Sequence, residues 1–383
     1  MRHVQPVRAS VLLLVARIGF AALVASALLA GLCGGLLRAG VALHHGIPGA
    51  WIAPAVLAHA FLMVCGFLGT VIGIERAVAV KKGLAFVAPA ASGLAGLLAG
   101  TGNAALAPWL AVAAAAAFTG VNVLVVFRQR APHTLVLLLG AMAWLVGNLL
   151  YALDANPAGV IPWWFSFLVL TIAAERLEMT RLMRQRRGAA PMLYVLLAGL
   201  LAGAAASSWQ AWSGGVVYGA SLLGLATWLF CCDIARRTVK TRGLSRYMAV
   251  CLLLGYFWLA VAGMAWIALA LGWPVRDAAL HALAIGFVFS MILGHAPVIL
   301  PAVLRVKVLF GPAFYLPLML LHASLALRIL GPPHAPELLR LAAFGNALAI
   351  VAFALTVLGA AVAWRLKYPT PSARHADEPA VED

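Results

Sequence analysis

Apolar runs of about 18 to 25 residues recur along the whole chain, and each is long enough to cross a hydrocarbon layer about 30 Å thick at about 1.5 Å per residue. Twelve can be marked, at 11–37, 51–74, 84–101, 108–127, 133–153, 161–178, 191–208, 213–232, 247–271, 277–301, 310–330 and 339–364. None of them can be a lone strand, because lipid offers no partner for the backbone N–H and C=O groups that a lone strand exposes. Only 10% of the 383 residues are charged and the mean hydropathy is +1.02, which excludes an ordinary water-soluble domain. The expected fold is an all-α, polytopic transmembrane helix bundle of about 12 helices. Residues 1–368 form its single transmembrane domain, and the Pro-rich, charged stretch 369–383 reads as a disordered tail.

A formal charge of +16 raises the question of nucleic acid, and the placement of the charge answers it. With the N-terminus inside, 22 of the 27 Lys and Arg residues fall in segments on the cytoplasmic side. Arg38, Arg276, Arg328 and Arg340 lie on the other side, and Arg17 lies within the first run. That asymmetry is the positive-inside rule, so both termini are expected in the cytoplasm. The basic stretches "MTRLMRQRRG" and "ARRTVKTRGLSR" then serve topology and anionic lipid, and the expected partner is the lipid bilayer, with no nucleic acid. The five cysteines form no CxxC or CxxCH, so neither a disulfide framework nor covalent haem attachment is expected.

The second and sixth runs both close with Glu-Arg, Glu75–Arg76 and Glu175–Arg176. The echo records either a duplication or an ion pair used twice to end a helix, and the ion pair is the simpler reading. Ionisable groups at membrane depth are costly and usually serve a site. His59, His281, His295 and His322 are the candidates, whereas His3, His44, His45, His133, His334 and His375 fall in tails, loops or at a helix edge. His281 and His295 are 14 residues apart in the tenth run, which on a helix means about 21 Å of rise and about 40° of azimuth. They share a face, as do the ligands of two stacked haems. His59 is the candidate partner for His281 near the outer surface, and His295 with His322 is a candidate second metal site. Neutral imidazole suits haem iron and copper alike. Each ring could instead hydrogen-bond a neighbouring helix, and for His322 that reading weighs at least as much. Met63 could add a thioether, Gly286 could let a planar cofactor approach, and Pro297 and Pro301 are expected to break the end of the tenth helix.

"LLGYFWLAVAGMAWIALALGW" followed by "ALHALAIGFVFSMILG" resembles the ninth and tenth helices of NnrS proteins, and "HAFLMVCGFLGTVIG" at 59–73 resembles their second helix. The same stretch is more distantly similar to the haem-ligand helix of haem-copper oxidase subunit I. NnrS proteins are haem- and copper-containing membrane proteins of the nitric oxide response. The resemblance implies haem b, with copper as a further cofactor, a small gaseous ligand such as NO, a redox partner and a bacterial inner membrane. Carried over by position, it marks His59, Met63, Gly255, Tyr256, Trp258, His281, Ala282, Leu283 and Gly286. Where the family reads His-Ala-His-Glu-Met, this chain has His59, Ala60, Phe61, Leu62 and Met63, and so lacks one ligand and one carboxylate. The sixth and seventh runs contain no histidine, which argues against oxygen reduction at a haem-copper centre. A transporter with the same histidines along its pathway is the alternative.

Overall fold

The computed structural model describes residues 4–43, 49–180, 187–304, 306–331 and 335–368. Twelve helices in it are long and apolar enough to cross a membrane. They are α1 (Leu14–Arg38), α2 (His59–Val80), α3 (Gly83–Gly100), α4 (Ala107–Arg128), α5 (Pro132–Ala152) and α6 (Pro157–Thr180). The series continues with α7 (Ala189–Ser207), α8 (Ala211–Cys232), α9 (Gly243–Ala270), α10 (Arg276–Pro301), α11 (Pro312–Leu330) and α12 (Pro336–Lys367). No strand occurs among the described residues, and the chain is an all-α polytopic bundle. The proposed tail at 369–383 and the loop histidines His3, His44, His45, His334 and His375 lie outside the described residues.

Burial is uneven in a regular way. α6 is the most deeply buried helix, α2 and α10 come next, and α1 and α12 are the least buried. The three central helices are therefore every fourth one in the chain. Ring contacts tie them together: Phe67 of α2 stacks on Phe289 of α10 at 6.2 Å between centroids, and Phe61 of α2 meets Trp164 of α6 edge-on at 6.1 Å. Such aromatic pairs add about 0.5–1.5 kcal/mol each beyond the area they bury. Close approach between α2 and α3 rests on Gly66 and Gly96, where a Cβ on Gly66 would stand 3.0 Å from the Gly96 Cα.

The structure revises two local expectations. The run expected to begin at 51 is two pieces. A short helix, Gly49–Leu57, contains Pro54, and α2 proper starts at His59 after a non-helical Ala58. The break falls at Ala58, a turn beyond Pro54, whose carbonyl still accepts from the Ala58 N–H at 2.9 Å, so the backbone changes course where hydropathy alone saw continuity. Conversely, Pro297 and Pro301 do not break the helix: the helical segment Ser290–Leu304 carries both and continues past the Arg276–Pro301 span of α10. Helices in membranes tolerate proline because surrounding polar groups and local adjustments re-satisfy the freed carbonyl.

Both α2 and α10 open into π-helix shortly after their first histidine, at Leu62–Gly69 and Ala282–Phe289. Each π stretch comes out in the same pattern, "GFLGT" in α2 and "GFVFS" in α10. Thr70 donates to the Gly66 carbonyl at 2.6 Å and Ser290 donates to the Gly286 carbonyl at 2.5 Å. Wide turns of this kind are rare and concentrate at functional sites.

Candidate functional site

Phe67 follows His59 by eight residues, and Phe289 follows His281 by eight. α2 and α10 run in the same direction, and these two phenylalanines stack on each other. Because the steps match, the stack sets His59 and His281 at one level near the outer ends of two central helices, within electrostatic reach of each other. Contacts from α1 to α2, α2 to α10, α10 to α11, α11 to α12 and α12 back to α1 make a ring of five helices, to which both histidines belong.

The two rings are held alike. The His59 Nδ1–H donates to the Gly31 carbonyl of α1 at 2.7 Å, and the ring lies against Gly35, where a Cβ would stand 2.8 Å from His59 Cε1. The His281 Nδ1–H donates to the Asp277 carbonyl at 2.9 Å, with the Asp277 carboxylate at 3.1 Å. A carbonyl can only accept, so Nδ1 carries the proton in both rings and Nε2 is left with its lone pair. Among the described residues neither Nε2 has a hydrogen-bond partner. Anchoring a histidine by one ring nitrogen so that the other is free is how proteins orient a metal ligand. Asp277 is itself fixed by Arg328 through two bonds of 2.7 and 2.8 Å. Three of the four arginines expected on the outer side gather at this ring. Arg38 and Arg328 both act electrostatically on His59, and Arg340 reaches the Gly40 backbone at the end of α1.

The other two histidines have no nitrogen to spare. The His295 Nδ1–H donates to the Met291 carbonyl at 2.7 Å, and its Nε2 accepts from the Arg176 guanidinium at 2.9 Å. The indole N–H of Trp258 donates to His322 Nδ1 at 2.8 Å, which puts the ring proton on Nε2, facing the Ser290 hydroxyl at 3.5 Å. The expected second metal site at His295 and His322 is therefore not assembled. Among the described residues no group of three or more His, Cys, Asp and Glu side chains is arranged to hold a metal ion.

Three other expected cofactor contacts turn elsewhere. The Met63 thioether lies against Gly31 of α1, so it packs between helices. A Cβ on Gly286 would meet Trp258 at 2.4 Å, so the space that glycine leaves is filled by the indole. Tyr256 is fully buried and meets Phe230 at 5.8 Å, with Asp233 and Arg176 acting on its hydroxyl at the basic face. What the sequence reading passed over was Asp277 and the part played by Arg176. An acid four residues before His281 was a readable local signal, since i and i+4 share a helix face. Arg176 stood in plain view within the repeated Glu-Arg.

These features define a polytopic helical membrane protein in which, among the described residues, His59 and His281 are each anchored through Nδ1 and lie near the N-terminal ends of two central helices. The chain belongs to the family described as "Domain of unknown function (DUF8744)", which it matches over residues 17–362. No curated protein and no solved structure matches it.

Proposed function

We propose that the protein binds haem between His59 and His281 and that, as the NnrS-like motifs imply, it serves the handling of or response to nitric oxide in a bacterial cytoplasmic membrane. The observation that carries the haem reading is the pair of rings tethered through Nδ1, with Nε2 free, at one level of two parallel central helices. A haem carries most of its iron's ligands itself and would ask the protein for no more than two, so two imidazoles that belong, among the described residues, to no three-donor group would suit it. A copper site of the three-donor kind would need a further ligand, which the described residues do not arrange there.

The chain's own residues have defined tasks in this reading. Gly31 and the Asp277 carbonyl fix the tautomer and direction of the two rings. The Asp277 carboxylate lies 3.1 Å from the His281 Nδ1, and Arg328 keeps that carboxylate in place. Arg38 and Arg328, both within electrostatic reach of His59, would supply positive charge toward the carboxylates of a bound haem. A haem held there would supply one-electron chemistry and an iron able to bind a small gas such as NO.

Optical spectra of detergent-purified protein from haem-replete cells test this, taken oxidised, dithionite-reduced and reduced with NO. A b-type spectrum that NO alters, lost in His59→Ala and in His281→Ala, is the expected result. Protein without a Soret band and without metal would remove the haem reading and turn attention to transport.

A further inference from the structure

A partly open cavity of about 410 Å3 lies at the same end of the bundle as His59 and His281, the face poor in Lys and Arg. That volume falls within the range of about 300–1,000 Å3 usual for small-molecule sites. Helix ends build it: α6, α8 and α10 begin there, at Pro157, Ala211 and Arg276, and α7 and α9 finish there, at Ser207 and Ala270. The walls are apolar and aromatic, with Ile161 from α6, Trp266 and Leu269 from α9 and Leu280 from α10. Trp266 is buried and braced by Tyr218 at 4.9 Å and Phe165 at 6.0 Å between centroids, so this wall is fixed. Trp212 also lines the cavity but is more than half exposed, as tryptophans are at the headgroup level of a bilayer.

The polar groups of the lining are unspent. Arg276 is the one charged residue among those that line the cavity, and it is the outer arginine that does not join the histidine ring. Among the described residues it has neither a carboxylate within 4.0 Å nor a hydrogen bond. The acid beside it in sequence is already taken. Successive residues of a helix point about 100° apart, so the first turn of α10 serves two sites: Arg276 and Leu280 line the cavity, while Asp277 holds His281 and Arg328 on the neighbouring face. Asn156 caps α6, its Oδ1 accepting from the Ala158 N–H at 2.9 Å, which leaves its amide N–H groups as donors. Three helix N-termini against two C-termini add a positive bias of the same sign. The complement of such a lining is an amphiphile whose head is negatively charged and accepts hydrogen bonds. The volume takes a head and the first carbons of its chains, and the open side leaves the remainder in the bilayer.

We propose that this cavity binds the headgroup of an anionic phospholipid from the bilayer. The phosphate sits on the Arg276 guanidinium and the Asn156 amide, and the glycerol backbone and upper chains lie against Trp266, Leu269 and Leu280. A planar guanidinium with no other partner can meet two phosphate oxygens at once. The site is separate from the His59–His281 pair and stands whether or not haem binds there.

Photo-crosslinking of the full chain in nanodiscs tests the proposal, with diazirine-bearing phosphatidylglycerol, phosphatidylcholine or palmitate as the probe and peptide mass spectrometry to place the label. The expected result is phosphatidylglycerol label concentrated on the segments of α6, α9 and α10 that line the cavity, with no such concentration from phosphatidylcholine. Arg276→Gln should lower the cavity label about tenfold, the loss that one charge-assisted contact carries. Ala158→Trp should block the cavity sterically, and label on the basic face should be the same in both variants as in the wild type. Equal cavity label from phosphatidylcholine overturns the proposal in the wild type alone, whether or not a variant folds. Cavity label from palmitate only also overturns it, by making the occupant a free fatty acid, as does phosphatidylglycerol label that is indifferent to Arg276→Gln.

Discussion

α10 carries a histidine toward each of its two ends, and the two are put to opposite uses. At the outer end His281 is held through one nitrogen by its own helix and keeps the other free, beside a matching ring from α2. At the basic end His295 has both nitrogens engaged, one by Met291 and one by a guanidinium from α6. The residue type, the helix and the Nδ1 anchor to the carbonyl four residues back are the same. The difference lies in what approaches Nε2. An arginine there makes the ring a neutral acceptor, whereas among the described residues nothing meets the Nε2 of His281.

Replacing the ligands should produce the largest separation between the two ends. His59→Ala and His281→Ala should each remove nearly all bound haem from the purified protein, while His295→Ala retains it, as read from Soret absorbance per protein. Equal loss in all three would erase the contrast. Removing Arg176 comes next. Arg176→Leu removes the guanidinium from which the His295 Nε2 accepts, and leaving a buried acceptor unpaired costs about 1–3 kcal/mol. The melting temperature in detergent should fall accordingly, and a variant as stable as the wild type would mean that the His295 Nε2 finds another donor. Asp277→Asn works on the outer end more gently. It keeps the carbonyl bond to His281 and removes the carboxylate, for which about a 10–100-fold loss of haem affinity is expected in a titration with free haem.

The smallest effect concerns pH. Burial pushes the Asp233 carboxyl up from its ordinary range, with the Ala235 amide and Arg176 pulling partly the other way. A raised carboxyl favours the folded state while protonated, and that contribution is lost as pH rises through the folded-state value. Asn mimics the protonated form. The stability of wild type relative to Asp233→Asn should therefore decline as pH climbs above the usual carboxylate range. A gap that stays constant or widens in favour of the wild type would show that Arg176 outweighs burial.

The twelve spans were legible because the thickness of a bilayer is written directly into run length, needing no knowledge of which helix meets which. Where that reading slipped, at Ala58 and at Pro297, the outcome turned on how neighbouring helices treat a backbone break, which hydropathy does not encode. The pairing of His59 with His281 could be guessed from matched depth, but the stack that sets the depth, Phe67 on Phe289, joins residues far apart in the chain. Asp277 was within reach of local reasoning, being one turn before His281. Arg176 on His295 was not, since 119 residues separate them. For His281 and His295 the Nδ1 anchor is local, one turn back, but whether Nε2 stays free is decided by tertiary contacts, and that is the property on which the candidate site depends.

The two wide helical stretches, Leu62–Gly69 and Ala282–Phe289, also bear on heredity. A one-residue change of length inside a membrane span cannot be absorbed by a loop. It has to be stored in the turn where it arose, or it rotates everything on one side by about 100°. A descendant that dropped one residue from either stretch would keep its hydropathy, its twelve spans and the facing of the residues on either side, because the wide turn would close into ordinary helix. The change would fall inside the stretch itself, where the side chains between Leu62 and Gly69 or between Ala282 and Phe289 would be re-aimed.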